Sequence, residues 1–163
     1  MLDQPNPLLH IVGEVIRPER GRHMVFTYDE AMDDGVVRAR CPDPKFVCTA
    51  RCTGRRIIFG PTGASVIHAL GREVYGAVWE VDAAGLAGLD ASMGAPGVKE
   101  RRGAFVRTSE GRLLVTDIYA LTNPELGEPD PALVLRIAEL GGRLGFPIGY
   151  KEQIRGWLGA SIH

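Results

Sequence analysis

The stretch GREVYGAVWEVDAAGLAGLD, Gly71 to Asp90, decides the architecture. Glu73 to Val81 is rich in β-branched and aromatic residues and reads as a strand. Gly71-Arg72 supplies a turn that joins it to a preceding strand, Ala64 to Leu70, as a hairpin. Asp82 then caps a short helix ending near Asp90. Strand signals that turn directly into a capped helix place the chain in the mixed classes.

Upstream, Lys45 to Gly60 reads as one long or bulged strand and Met24 to Tyr28 as a short one. Between them Asp29 to Arg40 reads as a helix, acidic early and basic late as the helix dipole prefers, and broken by CPDP. Downstream, MGAPGVKERRG reads as a loop, and Ala104–Arg107 with Arg112–Leu121 as a second hairpin around Glu110-Gly111. Asp130-Pro131 opens a helix carrying Leu133, Val134, Ile137, Ala138, Leu140 and Leu144, closed by Gly145. Tyr150, Ile154, Trp157 and Leu158 mark a last amphipathic helix. Hairpins in the middle with helices inserted and appended predict an α+β fold, a mostly antiparallel sheet that closes into a barrel. At the N-terminus, Asn6-Pro7 starts a helical stripe, Leu8 to Ile16, which Pro18 stops. Residues 1–22 are read as an extension bearing this helix, and 23–163 as the domain. The stripe's apolar face must pack on a barrel face or on a second copy of the chain.

The 163 residues suit one domain, 45% apolar and 24% charged, with a net charge of −1. That balance argues against a nucleic-acid binder. No apolar run approaches the roughly 20 residues that span a bilayer. No signal-peptide pattern opens the chain, so a cytoplasmic location with reduced thiols is expected. Cys41, Cys48 and Cys52 lack the spacing of a zinc site, the four histidines are scattered, and no metal is expected.

The order of these segments resembles the gamma-glutamylcyclotransferase family from Met24 to Leu158. Gly71–Asp90 is similar to that family's strand-helix segment ending in a Leu-Asp pair. IYALTN resembles its last strand, and PDPALVLRIAELGGRLGFPIGYKEQIRGW its C-terminal helix pair. The resemblance implies a small cyclotransferase-like barrel with flanking helices and two C-terminal helices. It also implies a cavity and a cofactor-independent reaction that cyclises a γ-glutamyl group to 5-oxoproline and releases an amine.

In the family a Tyr-Gly-Ser loop after the first strand holds the substrate through backbone N–H groups, and a Glu shortly after Leu-Asp moves the proton. Here the loop reads Tyr28-Asp29-Glu30, and the glutamate position holds Met93, within LDASMG. Lys99 stands at a family tyrosine. A thioether carries no proton, and two carboxylates in the loop oppose a substrate carboxylate. At ~4 Å and an effective dielectric near 20 that repulsion is about 4 kcal/mol, unless Lys99 or an arginine neutralises it.

The resemblance therefore implies Glu30 or Asp29 as replacement acid/base and Lys99 as electrostatic partner or amine nucleophile. Phe26, Thr27, Tyr28 and Met93 would line the substrate site. Asp33 and Asp34 serve a helix first turn as readily as a site, and His68 reads as a sheet-face residue. Three functions are expected to compete. One is a divergent enzyme acting on a small amine, amide or amino-acid derivative. The second is a non-catalytic small-molecule-binding protein. The third is an orthodox, 5-oxoproline-forming enzyme with a relocated acid.

Overall fold

The structure is a computed structural model that describes residues 15–160. Five strands close a barrel: β1 (Arg22–Thr27), β2 (Lys45–Gly60), β3 (Gly63–Asp82), β4 (Lys99–Thr108) and β5 (Leu113–Leu121), in the order β1-β3-β2-β4-β5. Four helices accompany them: α1 (Asp34–Arg40), α2 (Ala83–Met93), α3 (Pro131–Arg143) and α4 (Ile148–Ala160). This is the α+β barrel with two C-terminal helices that the sequence predicts. All pairings are antiparallel except the closing one, where Val25 and Phe26 of β1 lie parallel to Asp117 and Ile118 of β5.

The core follows from alternation along the strands. Val25, Val74, Val78, Leu114 and Ile118 are buried among the strands, and α3 and α4 add Val134, Ile137 and Ile154. β2 and β3 form a ribbon longer than the barrel needs. Arg55–Gly60 pairs with Gly63–His68, and α4 packs on it through the edge contact of Phe59 with Trp157, centroids 5.5 Å apart. Asp82 caps α2 by accepting from the Gly85 N–H, and Asp130 caps α3 at Ala132.

Three local expectations are corrected. Gly71-Arg72 is no hairpin turn, because β3 runs unbroken from Gly63 to Asp82. The positive φ of Gly71, 78°, serves a bulge opposite the register shift at Thr53/Arg55, since β2 offers a full-length partner. The reversal falls instead between Gly60 and Gly63. Asp29–Arg40 is not one helix: a 3₁₀ turn, Glu30–Met32, precedes α1, and Asp33 stands extended between them as the cap of α1. Lys99 to Gly103 belongs to β4 rather than to a loop, because β5 supplies partners from Leu121 to Asp117. The N-terminal helix lies outside the described residues up to 14. Ile16, the last residue of its stripe, forms a parallel bridge with Leu114 instead.

Tyr75, Phe146 and Tyr150 cluster where β3 meets the two C-terminal helices. The Tyr150 hydroxyl is buried there without a hydrogen-bond partner, and burial pushes its pKa up. The Tyr75 amide acts on it without reaching hydrogen-bonding geometry. Removing an unpartnered buried hydroxyl removes a desolvation cost, so Tyr150→Phe should stabilise the fold by about 1 kcal/mol. Urea unfolding of the two proteins checks this, and a loss of stability would reveal an acceptor for the phenol.

Candidate active site

The turn that leaves β1 sets the site. Thr27 is fixed first: its hydroxyl accepts from the Trp79 indole N–H at 3.1 Å and donates to the Ala77 carbonyl at 3.2 Å. Gly76 of β3 faces this corner, where any Cβ would collide with the Thr27 carbonyl oxygen and the Phe26 ring. Tyr28 follows, buried, and its hydroxyl donates to the Tyr119 carbonyl at 2.5 Å. Burial, followed by the neighbouring Asp29, raises its pKa well beyond the usual phenol range. Phe26 and Thr27, expected to line a substrate site, are buried in the core.

Asp29 comes next and is also buried. One carboxylate oxygen accepts from the Ala31 N–H at 2.9 Å, and the other lies 3.6 Å from the Lys99 ammonium. Glu30 points elsewhere: it accepts from Arg40, the last residue of α1, at 3.1 Å, and nearly half of its side chain is exposed. Met93 closes the group from the end of α2. Its sulfur is 3.7 Å from the Arg40 guanidinium and 3.6 Å from the Lys99 ammonium. Five residues from three distant segments thus converge: two carboxylates, two cations, and a thioether touching both cations.

Helix packing makes the convergence possible. Gly88 of α2 lies so close to α1 that a Cβ there would sit 2.6 Å from the Arg40 carbonyl oxygen. A larger residue would push α1 off α2 and carry Arg40 away from Met93. Beside this group a second network braces α2 against the barrel. Tyr119 donates to Asp90 at 2.5 Å, Arg101 grips Asp90 with two nitrogens at 2.9 and 3.3 Å, and Arg101 also faces Asp117 at 3.6 Å. Burial raises the pKa of Asp117, with Arg101 opposing it. Burial and the Asp90 bond raise that of Tyr119.

Sequence reasoning named Asp29, Glu30, Met93 and Lys99, and the structure places all four at one end of the barrel. It missed Arg40, whose only visible signal was its place in a basic last turn. Asp33 and Asp34 serve the helix: Asp33 accepts from the Val36 N–H and faces Arg136, and Asp34 pairs with Arg38. His68 is exposed on the outer ribbon. Cys41, Cys48 and Cys52 are free thiols whose pKa values burial raises, the opposite of activation. Among the described residues no group of histidine, cysteine and carboxylate side chains could hold a metal ion, and no helix is long and apolar enough to cross a membrane.

With this geometry in view, comparison with known proteins defines the class. The barrel is that of the cyclotransferases. A solved gamma-glutamyl cyclotransferase matches it with a TM-score of 0.76 and 26% identity, covering 82% of this chain and 86% of that one. A glutathione-specific gamma-glutamyl cyclotransferase from yeast shares the fold at a TM-score of 0.61 and 10% identity, covering 87% of this chain and 97% of the other. More particularly, the chain is 25% identical over 154 residues to the gamma-glutamylcyclotransferase of Homo sapiens, covering 87% of this chain and 82% of that protein. It is 26% identical over 144 residues to that of Mus musculus, covering 81% and 77%. No family model matches the chain. The chain is thus similar to gamma-glutamylcyclotransferases over most of its length and has the cyclotransferase fold.

The Asp29–Lys99 pair is largely shielded, with side-chain exposures of 11% and 16%, so it should couple more strongly than the half-exposed Glu30–Arg40 pair. A double-mutant cycle of Asp29→Asn with Lys99→Met should give a coupling of about 1 kcal/mol or more. The cycle of Glu30→Gln with Lys99→Met should give much less, since Glu30 pairs with Arg40. Equal couplings, measured by denaturant unfolding, would contradict this arrangement.

Proposed function

We propose that this chain is a divergent cyclotransferase-like enzyme in which Glu30 is the general acid/base. Its substrate is a small amine, amide or amino-acid derivative. The supporting observation is the relay Glu30–Arg40–Met93. The position that the family resemblance equates with the proton-moving glutamate holds a sulfur, and a carboxylate stands one guanidinium away. Asp29 suits the role less, because its two oxygens face the Ala31 amide and Lys99. Lys99, held between Asp29 and Met93, acts as an electrostatic partner rather than a nucleophile.

The chemistry needs one carboxylate used twice. A substrate amine attacks its own side-chain carbonyl, a C–N bond forms, and Glu30 takes the ammonium proton. The amide C–N bond then breaks, and Glu30 returns the proton to the departing amine. The turn poses less of an obstacle than its two negative charges suggest. Lys99 and Arg40 offset Asp29 and Glu30, so the repulsion expected from sequence is reduced. Each carboxylate a substrate carries must still compete with these satisfied pairs, which disfavours γ-glutamyl amino acids with their two.

One observation favours the second reading, a non-catalytic binding protein. Both loop carboxylates are already engaged by a cation, Asp29 by Lys99 and Glu30 by Arg40, so neither stands free to take a proton from a substrate. The names of the relatives favour the third, a 5-oxoproline-forming enzyme with a relocated acid.

A single assay separates the three. Purified protein is incubated with γ-glutamyl amino acids and with a panel of γ-glutamyl amines and ω-amides. Released amine and cyclised product, 5-oxoproline included, are detected by chromatography. Turnover of panel members, little release from γ-glutamyl amino acids, and a loss of about 10²–10⁴-fold in Glu30→Gln are expected. Turnover of neither class would select the binding protein. Robust 5-oxoproline release from γ-glutamyl amino acids would select the relocated acid. Met93→Glu alone should not restore the family reaction, because the new carboxylate would stand between Arg40 and Lys99 and be held ionised.

A further inference from the structure

Away from the β1 turn, a cleft of about 240 Å³ opens between the outer ribbon and α4. Arg56, Arg72, Gln153, Gly156 and Trp157 line it, with no acidic side chain among them. It adjoins a second cleft of about 220 Å³ that shares Arg72 and Gln153 and is walled by Tyr75, Pro147 and Tyr150. Neither cleft includes a residue of the candidate active site.

The two arginines are unlike most others in the chain. Arg22, Arg38, Arg40, Arg51, Arg101, Arg102, Arg136 and Arg143 each face a carboxylate. Arg56 and Arg72 face none among the described residues. Arg56 lies instead over the Trp157 ring, its guanidinium carbon 5.6 Å from the ring centroid. Stacking on an aromatic face leaves the in-plane N–H groups of a guanidinium free to donate. Trp157 is itself fixed by Phe59, so the stacked arginine stands on a rigid platform. Arg72 follows the Gly71 bulge in β3. Glu73, the one acid in the adjoining cleft, is occupied by Arg51 at 3.5 Å and by the Tyr75 hydroxyl at 2.8 Å.

We propose that this cleft is a second binding site, for a small molecule that carries an oxyanion on a flat or apolar body. The oxyanion sits on Arg56 and Arg72 with the Gln153 amide beside it, and the body lies along the aromatic wall of the adjoining cleft. Planar guanidinium forks match phosphate and carboxylate oxygens, and a concave site with few polar groups and aromatic walls is the usual form of a small-molecule site. Both oxyanions share this chemistry, and the test distinguishes them.

The full chain is titrated with phenyl phosphate and, separately, with phenylacetate, following the Trp157 indole N–H by NMR. That signal is assigned by its disappearance in Trp157→Phe. A saturable shift is expected, weakened about tenfold or more in Arg72→Gln and lost when Arg56→Gln is added. The tighter probe names the source, phosphate ester or carboxylate. The Glu30→Gln variant should titrate like the wild type. Dispersed spectra of the variants establish that they are folded. The proposal is overturned by absence of a saturable shift from both probes up to about 10 mM. It is equally overturned by a shift that survives in the double arginine variant, or by one that depends on Glu30.

Discussion

Barrel closure rests on β1. This strand of six residues pairs with β3 along its whole length on one side and with β5 in parallel on the other. A parallel contact cannot be made by a tight turn and needs a long crossover, and here about half of the chain, residues 28–112, lies between the two partners. The seam therefore forms only when the first and last strands of the barrel are both in place. The turn leaving β1 emerges at this seam, and its position is tied to the closed barrel through Tyr28 and the Tyr119 carbonyl.

The sequence makes the elements legible where the signal is local. Strand alternation, the Asp82 and Asp130 caps and the C-terminal amphipathic helices each announce themselves within a few residues, and the structure contains them. The errors fall where a distant partner overrides a local signal. Gly71 carries the dihedral of a turn, yet the full length of β2 beside it converts the kink into a bulge. Lys99 to Gly103 carries four successive charges and reads as solvated loop. The free edge of β5 recruits it as strand; Lys99 then pairs with Asp29 and Arg101 with Asp90 and Asp117, while Glu100 and Arg102 pair with each other.

The candidate site was half legible for the same reason. Family resemblance points to individual positions, so Asp29, Glu30, Met93 and Lys99 could be named singly. Arg40 lies ten residues beyond Glu30 and fifty-three before Met93, and nothing local marks it as their common neighbour. Its role depends on Gly88, a residue without a side chain, whose contribution is the space it leaves. The pairing of Lys99 with Asp29 and of Arg40 with Glu30 is likewise a property of the fold.

Two cations and two carboxylates cancel at the β1 turn. A quartet of this kind has strong fields within a few ångströms and almost none beyond a Debye length, about 8 Å at physiological ionic strength. A charged ligand approaching from solvent is therefore neither drawn in nor turned away until it is nearly in contact. Its encounter rate with this end of the barrel should be that of unsteered diffusion and nearly indifferent to added salt. Discrimination is left to short-range fit, where a solute must displace one of four mutually satisfied charges from its partner.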